Sequence, residues 1–178
     1  MGESSRLRVF FALWPEAWLA EAWHRRGERL QAECGGRLMR AATLHITLAF
    51  IGEVERSRIA ELRALGECNP LPRVKLECTQ QGWWENKNIV WLMPHHVPKE
   101  LITFQHELVQ RLRYAGFACD GRTFTPHVTL LRRVVREPHE RWFKSVSTWQ
   151  PNGLTLVESQ RTERGAEYVP LGSWPVAG

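Results

Sequence analysis

Short runs of apolar, β-branched and aromatic residues, bounded by glycine and proline, predict most of the strands of this chain. The first run is Arg6–Leu13, with the sequence RLRVFFAL. The strongest run in the first half covers 44–51, and we expect Gly52 to end it. Further strands are predicted at 37–40, 74–80, 88–93, 127–131, 153–159 and 168–171, the last two around a turn at Arg164-Gly165.

Apolar residues at intervals of three and four predict the helices. Pro15 suits the first turn of a helix that begins there. Strands and helices mix without a strict βαβ alternation, which indicates an α+β fold with largely antiparallel sheets. Helices are predicted at 15–32, 56–65 and 98–114, with a shorter one at 138–144.

Length and composition fit a single domain over 1–178. The chain has 178 residues, of which 43% are hydrophobic and 24% charged, as in ordinary globular proteins. No stretch approaches the ~18 apolar residues of a membrane-spanning helix, and the N-terminus lacks the features of a secretory signal. We therefore expect a cytoplasmic protein, with no membrane partner. Four cysteines, at positions 34, 68, 78 and 119, match no zinc or redox spacing and are expected to be free thiols.

The net charge is +5 and the isoelectric point is about 9.4. A basic balance favours polyanionic partners without identifying one, and arginine suits phosphate through its forked geometry. A solvated basic surface explains the charge equally well.

One short pattern occurs twice, as LHITL at 44–48 and PHVTL at 126–130. Alternate residues of a strand share a face, so His45 lies beside Thr47, and His127 lies beside Thr129. The repeat hints at two similar lobes about a pseudo-two-fold axis. If both faces line one cleft, two imidazoles and two hydroxyls meet there.

This set of side chains fits the chemistry of a phosphodiester. Imidazole titrates near pH 6.5, so a neutral copy takes a proton from water while a charged copy gives one to the leaving oxygen. Threonine hydroxyls donate to phosphate oxygens. The scheme requires no metal and no cofactor. A histidine on a strand is more often a non-catalytic residue, and the pairing of two such motifs is what favours function.

The sequence resembles the two-histidine phosphoesterase superfamily, and within it the bacterial RNA 2′,3′-cyclic phosphodiesterases, also called 2′-5′ RNA ligases. The resemblance extends over nearly the whole chain. It is carried by RVFFAL at 8–13, LHITL at 44–48, FIG at 50–52, VWL at 90–92, FTPHVTL at 124–130 with Arg132, Glu158-Ser159, and Tyr168.

The resemblance implies a bilobal α+β fold, with two similar lobes of mostly antiparallel sheet facing a central cleft and helices outside. It implies hydrolysis of RNA 2′,3′-cyclic phosphate to a 2′-phosphomonoester, with a weaker, reversible capacity to join tRNA halves through a 2′-5′ bond. We expect a monomer. On the matching positions, His45 and His127 are the acid–base pair, and the substrate-binding residues are Thr47, Thr129, Arg132, Phe11 and Tyr168.

Some of these positions keep alternative interpretations. Strict alternation sends Arg132 away from the cleft, so it needs a strand end or a bulge to reach the phosphate. Of Phe10 and Phe11, alternation allows one to face the cleft, and core packing explains both. Trp83-Trp84 lie in a loop-like stretch and suit either base stacking or a partner contact. His95-His96 face opposite ways on a strand, which disfavours a metal site.

Two other functions remain open from the sequence. One is a module that binds phosphorylated RNA ends with little turnover, which would not need two titratable groups. The other is a two-histidine enzyme for a small nucleotide, such as an ADP-ribose cyclic phosphate or a 2′-5′ oligoadenylate. A broad basic rim favours RNA, and a closed pocket favours a nucleotide.

Overall fold

The computed structural model describes residues 5–119, 121–141, 148–163 and 165–177. Its helices are α1 Ala17–Cys34, α2 Ile59–Glu67 and α3 Lys99–Tyr114. Its strands are β1 Arg6–Leu13, β2 Arg37–Leu38, β3 Ile46–Glu55, β4 Leu76–Glu77, β5 Gln80–Trp84, β6 Ile89–Met93, β7 Val128–Arg132, β8 Thr148–Trp149, β9 Gly153–Thr162 and β10 Gly165–Pro175. No helix in these ranges is long and apolar enough to cross a membrane.

Antiparallel strands form two lobes that meet in the middle of one sheet. The order is β10-β9-β1-β3 in the first lobe and β7-β6-β5 in the second, with β2 also paired to β7. The lobes join where Ile46 of β3 pairs with Val128 of β7. Strands β4 and β8 form a separate two-stranded ladder. The α+β bilobal fold expected from the sequence is therefore confirmed.

Two helices cross from one lobe to the other. Helix α1 follows β1 of the first lobe but packs against β2 and β7 of the second. Helix α3 follows β6 of the second lobe but packs against β3 of the first, while α2 lies against β9 and β10. Helix α1 therefore buries its apolar face against the second lobe and α3 against the first, so each lobe is covered by a helix that follows a strand of the other.

Two predicted strands have different bounds in the structure. The strand over 44–51 does not end at Gly52, because β3 continues to Glu55. Gly52 has φ of 87° next to a bulge against β1, a conformation that glycine adopts without strain. The predicted strand over 74–80 is two separate pieces, since β4 ends at Glu77 and β5 begins at Gln80. Strand β5 also contains Trp83-Trp84, so their placement in a loop was wrong.

Smaller differences lie at helix starts and near the C-terminus. Pro15 precedes α1, which begins at Ala17 and runs to Cys34. The predicted helix at 138–144 is absent over 138–141, and 142–144 lie outside the described residues. The closing strands β9 and β10 are longer than predicted, and Arg164 of the predicted turn lies outside the described residues.

Candidate active site

The two His-x-Thr motifs lie side by side where the lobes meet. Ile46 and Val128, the middle residues of the motifs, form the antiparallel pair between β3 and β7, and both are fully buried. Neighbouring residues of a strand face opposite ways, so the residues that flank this buried pair face the cleft. One cavity accordingly contains His45, Thr47, His127 and Thr129.

Each motif is followed by a β-bulge at the same position. In β3 the extra residue is Leu48, since residues 47 and 49 pair with consecutive residues of β1. In β7 it is Leu130, since residues 129 and 131 pair with consecutive residues of β6. A bulge reverses the alternation of faces, so the fifth residue after each histidine turns toward the cleft. These residues are Phe50 and Arg132, and both line the cavity.

The cavity encloses about 300 Å³ and has walls from both lobes, at the lower end of the range for small-molecule sites. Besides the four motif residues, its lining consists of Arg8, Phe10, Met39, Thr43, Phe50, Arg122, Arg132, Ser159 and Tyr168.

Hydrogen bonds fix the tautomer of His45. Its Nδ1–H donates to the carbonyl oxygen of Thr43 at 2.8 Å, because a carbonyl can only accept. In the neutral ring Nε2 is then an acceptor, and it lies 3.2 Å from Oγ1 of Thr47, whose hydroxyl donates to it. Nε2, the nitrogen available for proton transfer, therefore lies on the cavity side, next to the hydroxyl of Thr47.

Three aromatic rings surround the imidazole of His45. Trp14 stacks on it, with 4.7 Å between ring centroids and 14° between planes. Phe10 and Tyr168 approach at 5.1 Å and 5.2 Å. The indole N–H of Trp14 donates to the carbonyl of Ala42 at 3.2 Å, which holds the stack in place. His45 therefore lies in an aromatic box that opens on the cavity side.

This box determines the protonation of His45 in the free protein. Burial lowers the pKa of His45 from 6.5 to about 4, although the residue keeps some exposure toward the cavity. The Thr43 carbonyl opposes that shift, and the charges of His127 and Arg132 add to it. The ring is consequently neutral at neutral pH when no anion is bound.

His127 has the same backbone anchor in a different setting. Its Nδ1–H donates to the carbonyl of Thr125 at 2.7 Å, which again leaves Nε2 for the cavity. Trp84 and the His127 ring form a T-shaped pair, with 4.6 Å between centroids and 76° between planes. Burial lowers the pKa of His127, the Thr125 carbonyl raises it, and nearby Lys87 and arginines lower it further.

Cations are concentrated around both histidines. Burial raises the pKa of Tyr168 at the His45 side, while arginines around its hydroxyl lower it. The basic residues whose charge acts on Tyr168 or on His127 are Arg8, Arg37, Arg40, Lys87, Arg122 and Arg132. Such a site attracts an anion, and an anion bound there would raise both imidazole pKa values.

The structure corrects one predicted substrate contact. Phe11 is fully buried and lies on the core face of β1, with its ring 6.2 Å from that of Trp174. Its neighbour Phe10 lines the cavity instead, because alternate residues of β1 face the cleft. The predicted residues Arg132 and Tyr168 line the cavity. Trp91, in the middle of β6, is buried.

Several residues that line the cavity or lie beside its histidines were not identified from the sequence. Arg8 shares the cleft face of β1 with Phe10, and Trp14, just after the strand, continues the same alternation, so alternation along RVFFALW was a usable signal. Phe50 occupies the position in the first motif that Arg132 has in the second, a second usable signal. Nothing in the local sequence marks Arg122 or Lys87. Among the described residues, no group of three potential metal ligands lies close together.

Comparison with known sequences identifies a family. The model described as the 2′-5′ RNA ligase superfamily matches residues 17–163. The RNA 2′,3′-cyclic phosphodiesterase of Escherichia coli (strain K12) is 31% identical over 173 residues, covering 94% of this chain and 95% of that protein. The protein of the same name from Methanocaldococcus jannaschii is 24% identical over 152 residues, covering 79% of this chain and 84% of the relative.

Solved structures agree with the sequence matches. Apo LigT of E. coli superposes with a TM-score of 0.87 at 29% identity, covering 98% of this chain and 100% of that one. Its complex with 3′-AMP gives 0.85 at 27% identity, covering 97% and 99%. TT0787 of Thermus thermophilus, at 20% identity and a TM-score of 0.79 over 96% and 98%, shares the fold. The chain belongs to the 2′-5′ RNA ligase superfamily.

Proposed function

We propose that this protein hydrolyses RNA 2′,3′-cyclic phosphate ends to 2′-phosphomonoesters by metal-independent two-histidine catalysis. The observation that carries the proposal is the pair of imidazoles facing one cavity, each with Nδ1 bonded to a backbone carbonyl, so that Nε2 is the nitrogen left for proton transfer. Relatives from Escherichia coli, Methanocaldococcus jannaschii and Aeropyrum pernix carry the name RNA 2′,3′-cyclic phosphodiesterase, which supports it.

The reaction breaks one ester bond and consumes one water. Water attacks phosphorus while one neutral imidazole takes its proton, the bond from phosphorus to O3′ breaks, and the other imidazole, protonated, gives a proton to O3′. The products are a 2′-phosphomonoester and a 3′-hydroxyl. The proton gained by one histidine and the proton lost by the other balance, so exchange with solvent restores the starting state.

The remaining polar residues of the cavity bind the phosphate in this scheme. The hydroxyls of Thr47 and Thr129 donate to its non-bridging oxygens. Arg132 supplies positive charge, and Tyr168 closes the His45 side. Charge developing on phosphorus-bound oxygens in the transition state is stabilised by donors already in place, which lowers the barrier.

We assign the protonation of O3′ to His45 and the activation of water to His127. An anionic phosphate beside His45 raises its pKa from the low value of the free ring, so that the ring can carry the proton that O3′ receives. The exchanged assignment is the alternative, and the pKa of about 4 in the free protein favours it.

The wider activity belongs to the same proposal. A 5′-hydroxyl in place of water as the nucleophile gives a 2′-5′ bond, as in joining tRNA halves. O3′ is again the leaving oxygen, so each histidine keeps its role, and the roles are exchanged only when the 2′-5′ bond is cleaved back to the cyclic phosphate. We propose that the chain works as a cytoplasmic monomer and that 1–178 is one domain of two pseudo-symmetric lobes. Size-exclusion chromatography with light scattering tests the monomer.

The second candidate is a phosphodiesterase for a small nucleotide. The observation in its favour is the limited size of the first cavity, about 300 Å³. ADP-ribose cyclic phosphate and 2′-5′ oligoadenylate are the substrates to compare with RNA.

The decisive experiment measures hydrolysis of an RNA oligonucleotide with a 2′,3′-cyclic phosphate end in EDTA. We expect turnover to a 2′-phosphate, reduced at least about 100-fold in His45→Ala and in His127→Ala, because each removes one proton transfer. His106→Ala, an exposed histidine of α3, is the matched control and should retain native activity. Circular dichroism confirms folding of each variant.

A bridging sulfur in place of O3′ distinguishes the two roles. A thiolate leaves without protonation, so this substrate restores activity to the variant that lacks the acid and leaves the variant that lacks the base inactive. Absence of turnover of any cyclic phosphate by folded native protein would refute the enzymatic proposal and favour a module that binds RNA ends.

A further inference from the structure

A second groove adjoins the catalytic cavity on the side of His127. It encloses about 690 Å³, more than twice the volume of the cavity. The groove does not reach His45, but six residues line both spaces: Thr47, Phe50, Arg122, His127, Thr129 and Arg132. Its other walls come from the end of β5, from α3 and from the segment before β7. The reaction proposed above takes place on one terminal ribose and does not account for this groove.

The chemistry of the substrate limits what can occupy the groove. A 2′,3′-cyclic phosphate closes on two oxygens of the same ribose, so one nucleoside carries both the leaving and the retained oxygen. In RNA that ribose continues through O5′ to a phosphate and the preceding nucleotide. A cavity of about 300 Å³ does not hold two nucleotides. The chain must therefore leave the cavity next to the terminal ribose.

The boundary between cavity and groove carries positive charge. Arg122 lines both spaces, and Lys87 lines the groove. The Lys87 ammonium lies 4.5 Å from the ring centroid of Trp84, and that ring forms a T-shaped pair with His127. Trp84 thus holds an exposed cation beside the catalytic ring, and the lowering of the His127 pKa by Lys87 reflects the same proximity.

The far walls of the groove are aromatic and amide-bearing. Phe124 is half-buried there, and Asn86 is exposed. Gln105 reaches across from α3 and donates from Nε2 to the carbonyl of Leu48 at 3.0 Å, which fixes its side chain at the wall. Planar rings and amides are the groups that contact a nucleobase, by stacking and by hydrogen bonds to its edge.

We propose that this groove binds the nucleotide that precedes the cyclic phosphate terminus, with Lys87 at the internucleotide phosphate. This rests on the proposed function and narrows its substrate class to oligonucleotides. An incoming strand for ligation fits less well, because its 5′-hydroxyl end carries no phosphate near the reacting atoms. The cations at the boundary match the phosphate on O5′ of the terminal ribose.

The test compares two substrates, a 2′,3′-cyclic mononucleotide and a dinucleotide with the same terminal nucleotide as cyclic phosphate. For the native protein we expect kcat/KM at least about tenfold higher for the dinucleotide, since one more charge-assisted contact forms. Lys87→Met keeps the length of the stem and should reduce this ratio about tenfold. Lys87→Arg should restore it, and Lys75→Met, an exposed lysine outside both spaces, should leave it unchanged.

The ratio of the two kcat/KM values distinguishes binding of the preceding nucleotide from effects on the proton transfers. Loss of the Lys87 charge raises the His127 pKa and alters both substrates alike, so the ratio cancels that effect. A native ratio near one, or a ratio unaffected by Lys87→Met, overturns the groove assignment while leaving the hydrolase intact. A defect confined to ligation with a 5′-hydroxyl oligonucleotide also overturns it. If folded native protein hydrolyses neither substrate, the proposed function fails and the groove assignment fails with it.

Discussion

At the scale of single residues, the surroundings of the two histidines differ although their motifs match. Trp14 stacks flat on His45, whereas the ring of Trp84 is nearly perpendicular to that of His127. The flat stack excludes water from one face of the ring, and desolvation is the largest cause of the low pKa of His45. Trp14 is therefore a positioning residue, since it acts on the reaction through His45.

Replacing Trp14 by leucine should change the titration of His45. Water then reaches the exposed face of the ring, so we expect the pKa of His45 to rise from about 4 toward 6.5, by at least about one unit. Trp14→Phe keeps an aromatic stack and should shift it less. The measurement is an NMR titration of the His45 ring proton in the free protein.

Trp18→Leu is the control, because Trp18 is 62% exposed on α1. An unchanged His45 pKa in well-folded Trp14→Leu would contradict the positioning role. A change in KM alone, without a change in pKa, would instead make Trp14 a substrate contact.

Residue patterns predicted the motif histidines and threonines but not the aromatic box. His45 and Thr47 share a face by simple alternation, and the structure places them 3.2 Å apart. The resemblance implies that Phe11 binds the substrate, whereas the alternation of faces along β1 places Phe10 on the cleft face. The sequence does not predict a role for Trp14, because the next residue, Pro15, indicates the start of a helix. The contact between β1 and the start of β3 that completes the box is long-range, and local sequence does not report it.

At the scale of secondary-structure elements, the bulges decide which side chains reach the cleft. Strict alternation would turn Arg132 away from the cleft, and the extra residue Leu130 brings it back to the cleft face. The extra residue Leu48 does the same for Phe50. No residue type marks either bulge, since leucine suits a regular strand equally well. Each bulge lies at the same place, with its extra residue directly after the threonine of the motif.

The pairing of β5 with β6 depends on a glycine. Gly82 pairs with Trp91, and a Cβ on Gly82 would lie 2.4 Å from Cζ2 of the Trp91 ring. We expect Gly82→Ala to displace that bulky ring and to lower the free energy of unfolding by about 1–3 kcal/mol. Urea denaturation followed by circular dichroism measures the change.

Gly121→Ala serves as the control for this substitution. Its Cβ would meet the flexible end of Arg113 at 3.5 Å, an ordinary contact, so stability should hardly change. Equal stability of Gly82→Ala and native protein would show that β5 moves freely relative to β6. Because Trp84 lies 5.5 Å from Trp91, such movement would also loosen the wall of the second groove.

At the scale of the whole molecule, the crossing of α1 and α3 ties each lobe to the other. The α+β class followed from the order of strands and helices, and the cleft followed from the repeated motif. The crossing itself was not predicted, because it depends on which sheet face each helix covers. Since the lobes share their helices, we expect them to unfold together, with fluorescence and circular dichroism giving coincident transitions.

Acid should lower the free energy of unfolding that belongs to this single transition. The pKa of His45 is about 4 in the folded protein and about 6.5 when unfolded. The unfolded chain binds the proton more readily than the folded protein does. The contribution of neutral His45 to the free energy of unfolding is therefore fully present above pH 6.5 and is lost as the pH falls toward 4. Between pH 7.5 and 4.5 we expect His45 to account for up to about 2 kcal/mol, reduced by its partial exposure. Urea unfolding of native protein and His45→Asn at both pH values measures it. Equal pH dependence in the two proteins would show that the aromatic box does not hold the ring neutral.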